Sequence, residues 1–199
     1  RGSMARTIQA LRICQQKLRR NKVKRMRLVA TEACRRALNG ADFMRRIQRE
    51  TGLVLDIIKP EEEAQLAVIS CAPLVNHKTE NLLVVDIGGG STELVWIDIS
   101  KVPKKDRAQS IMRLHSGFHQ AKSDIPAAKV VDWISVPLGV ATLRDQFVDV
   151  DDDAARFALM SWFFEENLQD FTPYQSAQPQ ERFQIVGTSG TVTTVAASH

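Results

Sequence analysis

The sequence predicts an α/β fold, and three stretches of it carry that prediction. Residues 6–72 alternate helix-period segments with short apolar runs. Residues 82–98 read as a strand, a glycine turn and a second strand. Residues 182–198 read as a strand that turns through glycines and hydroxyls into a helix. Alternation of the two hydrophobic periods along one chain is the pattern of mixed α/β layers.

In order, Arg1-Gly2-Ser3 before Met4 reads as an expression-tag remnant and is set aside. Residues 6–18 have helix-like spacing and many basic side chains, which predicts a basic amphipathic helix. Residues 26–30 predict a strand. Thr31 is placed to cap a helix that closes at Asn39-Gly40, and Asp42 to cap another that stops at Gly52. LVLDII (53–58) alternates like a strand, and Pro60 suits the first turn of PEEEAQLAVISCA. Residues 73–81, polar with a proline, read as an inter-domain linker. NLLVVDI and ELVWIDI then form a hairpin across the glycines, a charged turn covers 98–107, and QSIMRLHS (109–116) is expected to be extended. A strand over 130–139 stops near Pro137 and leads into a helix through Phe147. Asp151-Asp152-Asp153 opens a longer helix to about residue 170, residues 171–182 form a loop, and RFQIVG (182–187) is the last strand.

No apolar run approaches the ~18 residues of a membrane helix, and no signal-peptide core is present. Cys14, Cys34 and Cys71 lie far apart with no CxxC pair, which predicts reduced thiols in a cytoplasmic protein rather than a disulfide framework or a zinc site. Charge is uneven. Residues 1–50 hold 15 Lys and Arg against 3 acids, while the remainder hold 12 against 20. The densest part, KLRRNKVKRMR (17–27), suits a polyanion or simply a solvated surface. With no aromatic residue among its charges it offers nothing for bases to stack on.

Chemistry concentrates in three motifs. In LLVVDIGGGSTELVW (82–96) strand follows the glycines, which counts against a dinucleotide loop, and no GK[ST] follows as in a P-loop. Three glycines followed by two hydroxyls expose backbone N–H groups as an anion nest does. Asp86 and Glu93 stand at its mouth, where carboxylates beside phosphate require a hard cation such as Mg²⁺. IVGTSGTVTT (185–194) repeats the theme as strand, glycine-hydroxyl loop and helix N-terminus. In PEEEAQL, Glu61, Glu62 and Glu63 project about 100° apart, and whichever is buried can serve as a general base; spacing does not decide which.

Taken together, TEACRRALN (31–39), IIKPEEEAQL (57–66), LLVVDIGGGSTEL (82–94), SVPLG (135–139) and VGTSGT (186–191) resemble the exopolyphosphatase / guanosine-pentaphosphate phosphatase family. The resemblance implies the fold of the actin, sugar-kinase and heat-shock ATPase superfamily. Two ribonuclease-H-like domains, here residues 4–78 and 79–199 and both incomplete, would flank a cleft. It implies Glu63 as catalytic base with Glu62 as the secondary candidate, and Asp86 and Glu93 as Mg²⁺-holding acids. Gly88, Gly89, Gly90, Ser91 and Thr92 become one phosphate loop and Gly187, Thr188, Ser189, Gly190 and Thr191 the other, with Arg35 near the substrate path. The expected substrates are inorganic polyphosphate or guanosine pentaphosphate, with a homodimer as the expected assembly and nucleic acid not expected as a partner. Family members begin with a strand and an aspartate-led glycine-serine loop that this sequence lacks, and the sequence stops inside a helix. A fragment that is inactive or weakly active alone is therefore expected. An ATPase or kinase of the same superfamily, or a non-catalytic phosphate-binding regulator, are the alternatives.

Overall fold

Apolar side chains on one side of the first helix decide where the N-terminal core forms. Ile8, Leu11 and Leu18 of α1 (Gly2–Arg20) pack with Phe43, Met44 and Ile47 of α3 (Gly40–Thr51) and with Leu53. Between the two helices lie β1 (Val29–Ala30) and the one-turn α2 (Glu32–Arg36). Gly52 ends α3 in the left-handed region (φ 71°), donating its N–H to the Gln48 carbonyl at 2.8 Å, as a glycine C-cap should. β2 (Asp56–Ile57) then pairs parallel with β1. The computed structural model describes residues 2–118, 126–176 and 182–198, and these form two units, Arg1–Lys59 and Pro60–His199.

The second unit opens with α4 (Pro60–Cys71) and is built on a four-stranded sheet of order β5-β4-β3-β6. β3 (Asn81–Ile87) and β4 (Thr92–Asp98) form an antiparallel hairpin. β5 (Lys129–Val136) runs antiparallel to β4, and β6 (Phe183–Thr188) parallel to β3. Ala64, Ala67, Val68 and Cys71 fall at helical spacing on one side of α4 and bury against Leu82, Val84, Val95 and Ile97 of the hairpin. Small residues on that stripe let the helix come close to the sheet. α5 (Arg107–Met112), α6 (Val140–Gln146), α7 (Asp153–Leu168) and α8 (Ser189–Ser198) complete the unit. Among the described residues no helix is long and apolar enough to cross a membrane.

Several expectations change. Residues 109–116 are not extended but form α5 and a following 3₁₀ turn, Arg113–Ser116. Arg107, Ser110, Ile111 and Leu114 are the buried positions, which is helical spacing that the short apolar run disguised. Residues 73–81 are not a free linker. Arg107 donates to the carbonyls of His77, at 2.9 Å, and Thr79; Gln184 bonds Asn76, Thr79 and Leu74, so the segment is tied to the second sheet. By compactness α4 and residues 73–81 go with the second sheet, and the two units meet in sequence at Lys59/Pro60. β1 and β2 are shorter than the predicted 26–30 and 53–58, because each pairs only with the other. The helix starting at Glu32 ends at Arg36, before Asn39-Gly40, and α3 starts at Gly40, so Asn39 and not Asp42 precedes it, with no side-chain cap bond. Thr31 does precede α2, with no side-chain cap bond. Residues 177–181 of the predicted 171–182 loop lie outside the described residues.

Ile97 is fully buried where α4 meets the hairpin. Ile97→Ala is expected to cost about 3 kcal/mol in urea unfolding, with an unchanged m value.

Candidate active site

The site begins as one rank across the sheet. Thr188 of β6, Asp86 of β3, Glu93 of β4 and Ser135 of β5 are successive register partners, so their side chains share a face. That face is the one α4 covers, because Leu82 and Val84 precede Asp86 on it while Val95 and Ile97 follow Glu93. Glu93 is only 2% exposed, and its Oε1 accepts a 2.8 Å bond from the Ser135 hydroxyl.

Glu63 reaches the rank from the first turn of α4. It lies one turn before Ala67 and two before Cys71, on the flank of the buried stripe, whereas Glu62 projects from the opposite side of the helix. Burial pushes the Asp86 carboxyl above its ordinary pKa, and repulsion from Glu63 adds to it. Glu93 is raised chiefly by burial; bonds from Ser135 and Ser91 pull it back, and repulsion from Glu63 and Asp86 raises it again. The three carboxylates therefore feel one another.

Both glycine loops leave this end of the sheet, because β3 and β6 are adjacent and parallel. Gly88 N–H bonds the Ser91 carbonyl at 3.0 Å, closing the first loop on itself. The start of α6 holds its other side: Val140 N–H donates to Gly88 O, and Ala141 and Thr142 N–H donate to Gly89 O. With these carbonyls and the Gly88 N–H so taken, the amides of Gly89 and Gly90 are what the loop can turn to an anion. Neither Gly88 nor Gly89 adopts the left-handed region, so turn geometry is not why they are glycine. A Cβ on Gly89 would meet nothing within 4 Å, which leaves that backbone open to a ligand. Thr92 and Ser91 are buried, and the Thr92 hydroxyl donates to Leu138 O at 2.7 Å. The Thr92 hydroxyl thus ties the loop to the segment before α6, while the Ser91 hydroxyl serves the Glu93 carboxylate.

The second loop ends β6 at Thr188 and starts α8 at Ser189, which sits in the left-handed region at φ 79°. Strain of this kind in a non-glycine residue is a mark of functional turns. Gly187 is required by packing, since a Cβ there would lie 2.5 Å from Val192 Cγ1. Thr191 lies beside Gly139 and Ile87 on the wall of a 610 Å³ pocket that Phe147, Met160 and Phe164 make largely apolar.

Arg35 belongs to the first unit. Its Nε and Nη2 hold Glu32 at 3.1 and 2.9 Å and its Nη1 bonds Ile58 O, so its guanidinium is committed to an internal network. Sequence reasoning gave no role to Ser135 or Gly139. SVPLG was the signal: its serine bonds Glu93 and its glycine lies against the first loop, where a Cβ would stand 2.5 Å from Gly90 N.

The profile of the Ppx/GppA phosphatase family matches residues 1–199. The chain belongs to that family. Among solved structures it resembles the Aquifex aeolicus PPX-GPPA enzyme at 31% identity and a TM-score of 0.60, covering 98% of this chain and 54% of that one. An exopolyphosphatase-like protein matches at 25% identity and a TM-score of 0.73, again over 98% of this chain and 54% of the other. An exopolyphosphatase from Cytophaga hutchinsonii, 23% identical with a TM-score of 0.72 over 98% and 53%, shares the fold. The chain spans about half the length of these relatives. It is an α/β protein with a mixed four-stranded sheet.

Two outcomes test this geometry. Gly139→Ala must displace the first loop and is expected to destabilise by about 2 kcal/mol, whereas Gly89→Ala, with open space and no left-handed φ, leaves the thermal midpoint within a degree or two. A carboxyl raised in the folded state contributes stability that is full below about pH 4 and lost as pH rises through its folded pKa. In chelator, Asp86→Asn should therefore gain stability over the parent as pH goes from about 4 to about 7, a gain absent at the acid end. An equal difference at both pH values would show that Asp86 pays no burial cost.

Proposed function

We propose that the chain carries the water-activating and phosphate-holding residues of a phosphoanhydride hydrolase that releases terminal phosphate from inorganic polyphosphate or guanosine pentaphosphate. The observation that carries this reading is the convergence of Glu63, Asp86 and Glu93 at the end of the sheet from which both glycine loops depart.

In this reading the loops 88–92 and 187–191 grip the terminal phosphates through backbone amides other than Gly88 N–H, which Ser91 O holds. The Glu63 carboxylate takes a proton from the water that attacks the terminal phosphorus in line. A new P–O bond forms as the bridging P–O bond breaks, and its electron pair leaves on the shortened chain. Most of the acceleration comes from holding water and phosphorus in line and from donors aimed at the transferred group.

A divalent cation fits the acids present. Asp86 Oδ1 is buried with no hydrogen-bond partner among the described residues, an oxygen that a cation would satisfy. Those residues hold no group of three or more His, Cys, Asp or Glu side chains arranged to cage a metal. Mg²⁺ needs no such cage, being held by one or two carboxylates together with substrate phosphates and water. Asp86 and Glu93 would hold it, and it would neutralise phosphate charge beside them.

The pocket between Ile87, Phe147, Phe164 and Thr191, with Arg144 and Arg156 also on its wall, supports guanosine pentaphosphate as one substrate, since a purine can use the apolar side chains and phosphates the arginines.

Phosphate release measured at high enzyme concentration, with and without Mg²⁺, tests the function. Glu63→Gln should lower hydrolysis by about 10²-fold or more while leaving polyphosphate binding intact. Hydrolysis unchanged by that substitution would remove Glu63 from the role, and binding without turnover in the parent would favour a regulator.

A further inference from the structure

The first unit carries cations that neither its fold nor the proposed site uses. The acids on its helices are spent elsewhere: Glu32 pairs with Arg35 and Arg36, Asp42 with Arg45, and Glu50 with Arg12 and Arg46, which leaves only Asp56, on β2, among the unit's acids. Among the described residues none of Lys17, Arg19, Arg20, Lys22, Lys24 and Arg25 forms an ion pair, and residues 19–27 are exposed throughout.

These charges are not a floppy tail. α1 ends in a fixed turn, where Lys22 N–H bonds Arg19 O at 3.0 Å and Val23 N–H bonds Leu18 O at 3.1 Å. That is the paired bonding of a Schellman stop, whose left-handed position is normally glycine. Here it is Lys22, at φ 50°. A lysine is kept where glycine would be less strained, and the turn aims the chain so that Arg19, Lys22 and Lys24 line one groove of about 690 Å³. Leu18, Met26 and Leu53 line the same groove. Cations of one sign around a low-dielectric wall focus their field into the concavity.

We propose that this groove is an exosite for inorganic polyphosphate, engaging a long substrate through its internal phosphates and separately from the residues that cut its end. The proposal rests on the polyphosphate arm of the function above. Unpaired cations closely spaced along one rigid turn match a linear polymer with a charge on every unit. The absence of any aromatic side chain from residues 17–27 leaves nothing for nucleobases to stack on, which favours a polyanion without bases over nucleic acid.

Binding is measured by titrating the full 199-residue chain carrying Glu63→Gln, so that turnover plays no part, with polyphosphate of about 100 units and with tripolyphosphate. Adding Lys22→Glu, Lys24→Glu and Arg25→Glu should weaken long-chain binding by about tenfold or more at 0.15 M salt and flatten its salt dependence by about three ions. Tripolyphosphate affinity should not change. A milder pair, Lys22→Gly with Lys24→Gln, relieves the strained φ and should hold or raise the thermal midpoint while still weakening long-chain binding severalfold. In the hydrolytically competent chain the triple variant should raise KM for long chains and leave kcat alone. Equal long-chain affinity and salt slope in parent and both variants would overturn the exosite. So would tighter binding of single-stranded RNA, or of phosphatidylglycerol vesicles, than of polyphosphate. Loss of hydrolysis in the competent parent bears on the proposed function instead, since the exosite is read from binding alone.

Discussion

Repulsion among Glu63, Asp86 and Glu93 at the end of the β3–β4 hairpin is the constraint on which the second unit depends, because burial raises the cost of every charge placed there. A hydrophobic sheet end would be more stable. The chain instead surrounds the acids with devices that make them tolerable. Ser135 and Ser91 donate to Glu93, and Glu63 sits in the first turn of α4, where the helix dipole favours an anion. Ala64 and Ala67 give the helix the short side chains it needs to bring Glu63 close to the strands. What remains unbalanced, most plainly Asp86 Oδ1, is balanced in the proposed reading by a cation that arrives with the substrate.

The same end of the sheet is stiff where it meets itself and open where it meets a ligand. The start of α6 takes the carbonyls of Gly88 and Gly89, Thr92 is pinned to Leu138, and Gly139 leaves no room for a methyl group. Gly89, by contrast, has empty space at its Cβ position. In the proposed reading, pre-organised amides cost no reorganisation when phosphate binds, which would let a short loop with few charges hold a strongly charged group. The parallel pairing of β3 with β6 then brings Ser189 and its strained backbone to the same end without a long connection.

How far the sequence could be read depended on how local each determinant is. The hairpin was legible because strand, glycines and strand are contiguous, and α4 because Pro60 and three acids mark its start. Glu63 could not be separated from Glu62 by spacing; its relation to Asp86 and Glu93 depends on packing against strands some twenty residues away. Ser135 and Gly139 were invisible as working residues, since their partners Glu93 and Gly90 lie some forty to fifty residues earlier. α5 was misread because Met112 and Leu114, two residues apart, give a strand-like alternation over so short a run, whereas Met112 is exposed and Ile111 and Leu114 are buried. Only Arg107 and Ser110, polar yet buried, complete the helical pattern. The polar segment 73–81 looked like a linker because nothing in it announces Arg107 and Gln184, which bind its backbone.

The charge asymmetry of the sequence acquires a physical meaning once ion pairs are traced. Acids on the helices of the first unit are consumed by helical arginines, and the 17–25 cations form no ion pair among the described residues. In the second unit the acids of the rank crowd together. Each unit thus holds an excess that its own fold does not neutralise, positive in one and negative in the other. Pairing an excess with a ligand, rather than with a neighbouring side chain, makes stability rise on binding by mass action. In the proposed reading a polyphosphate chain carrying divalent cations would bring both signs at once, phosphates for the lysines and metal for the carboxylates. The two excesses are then complementary to one kind of molecule, and neutralising either one with a local salt bridge would stabilise the free chain at the expense of its affinity.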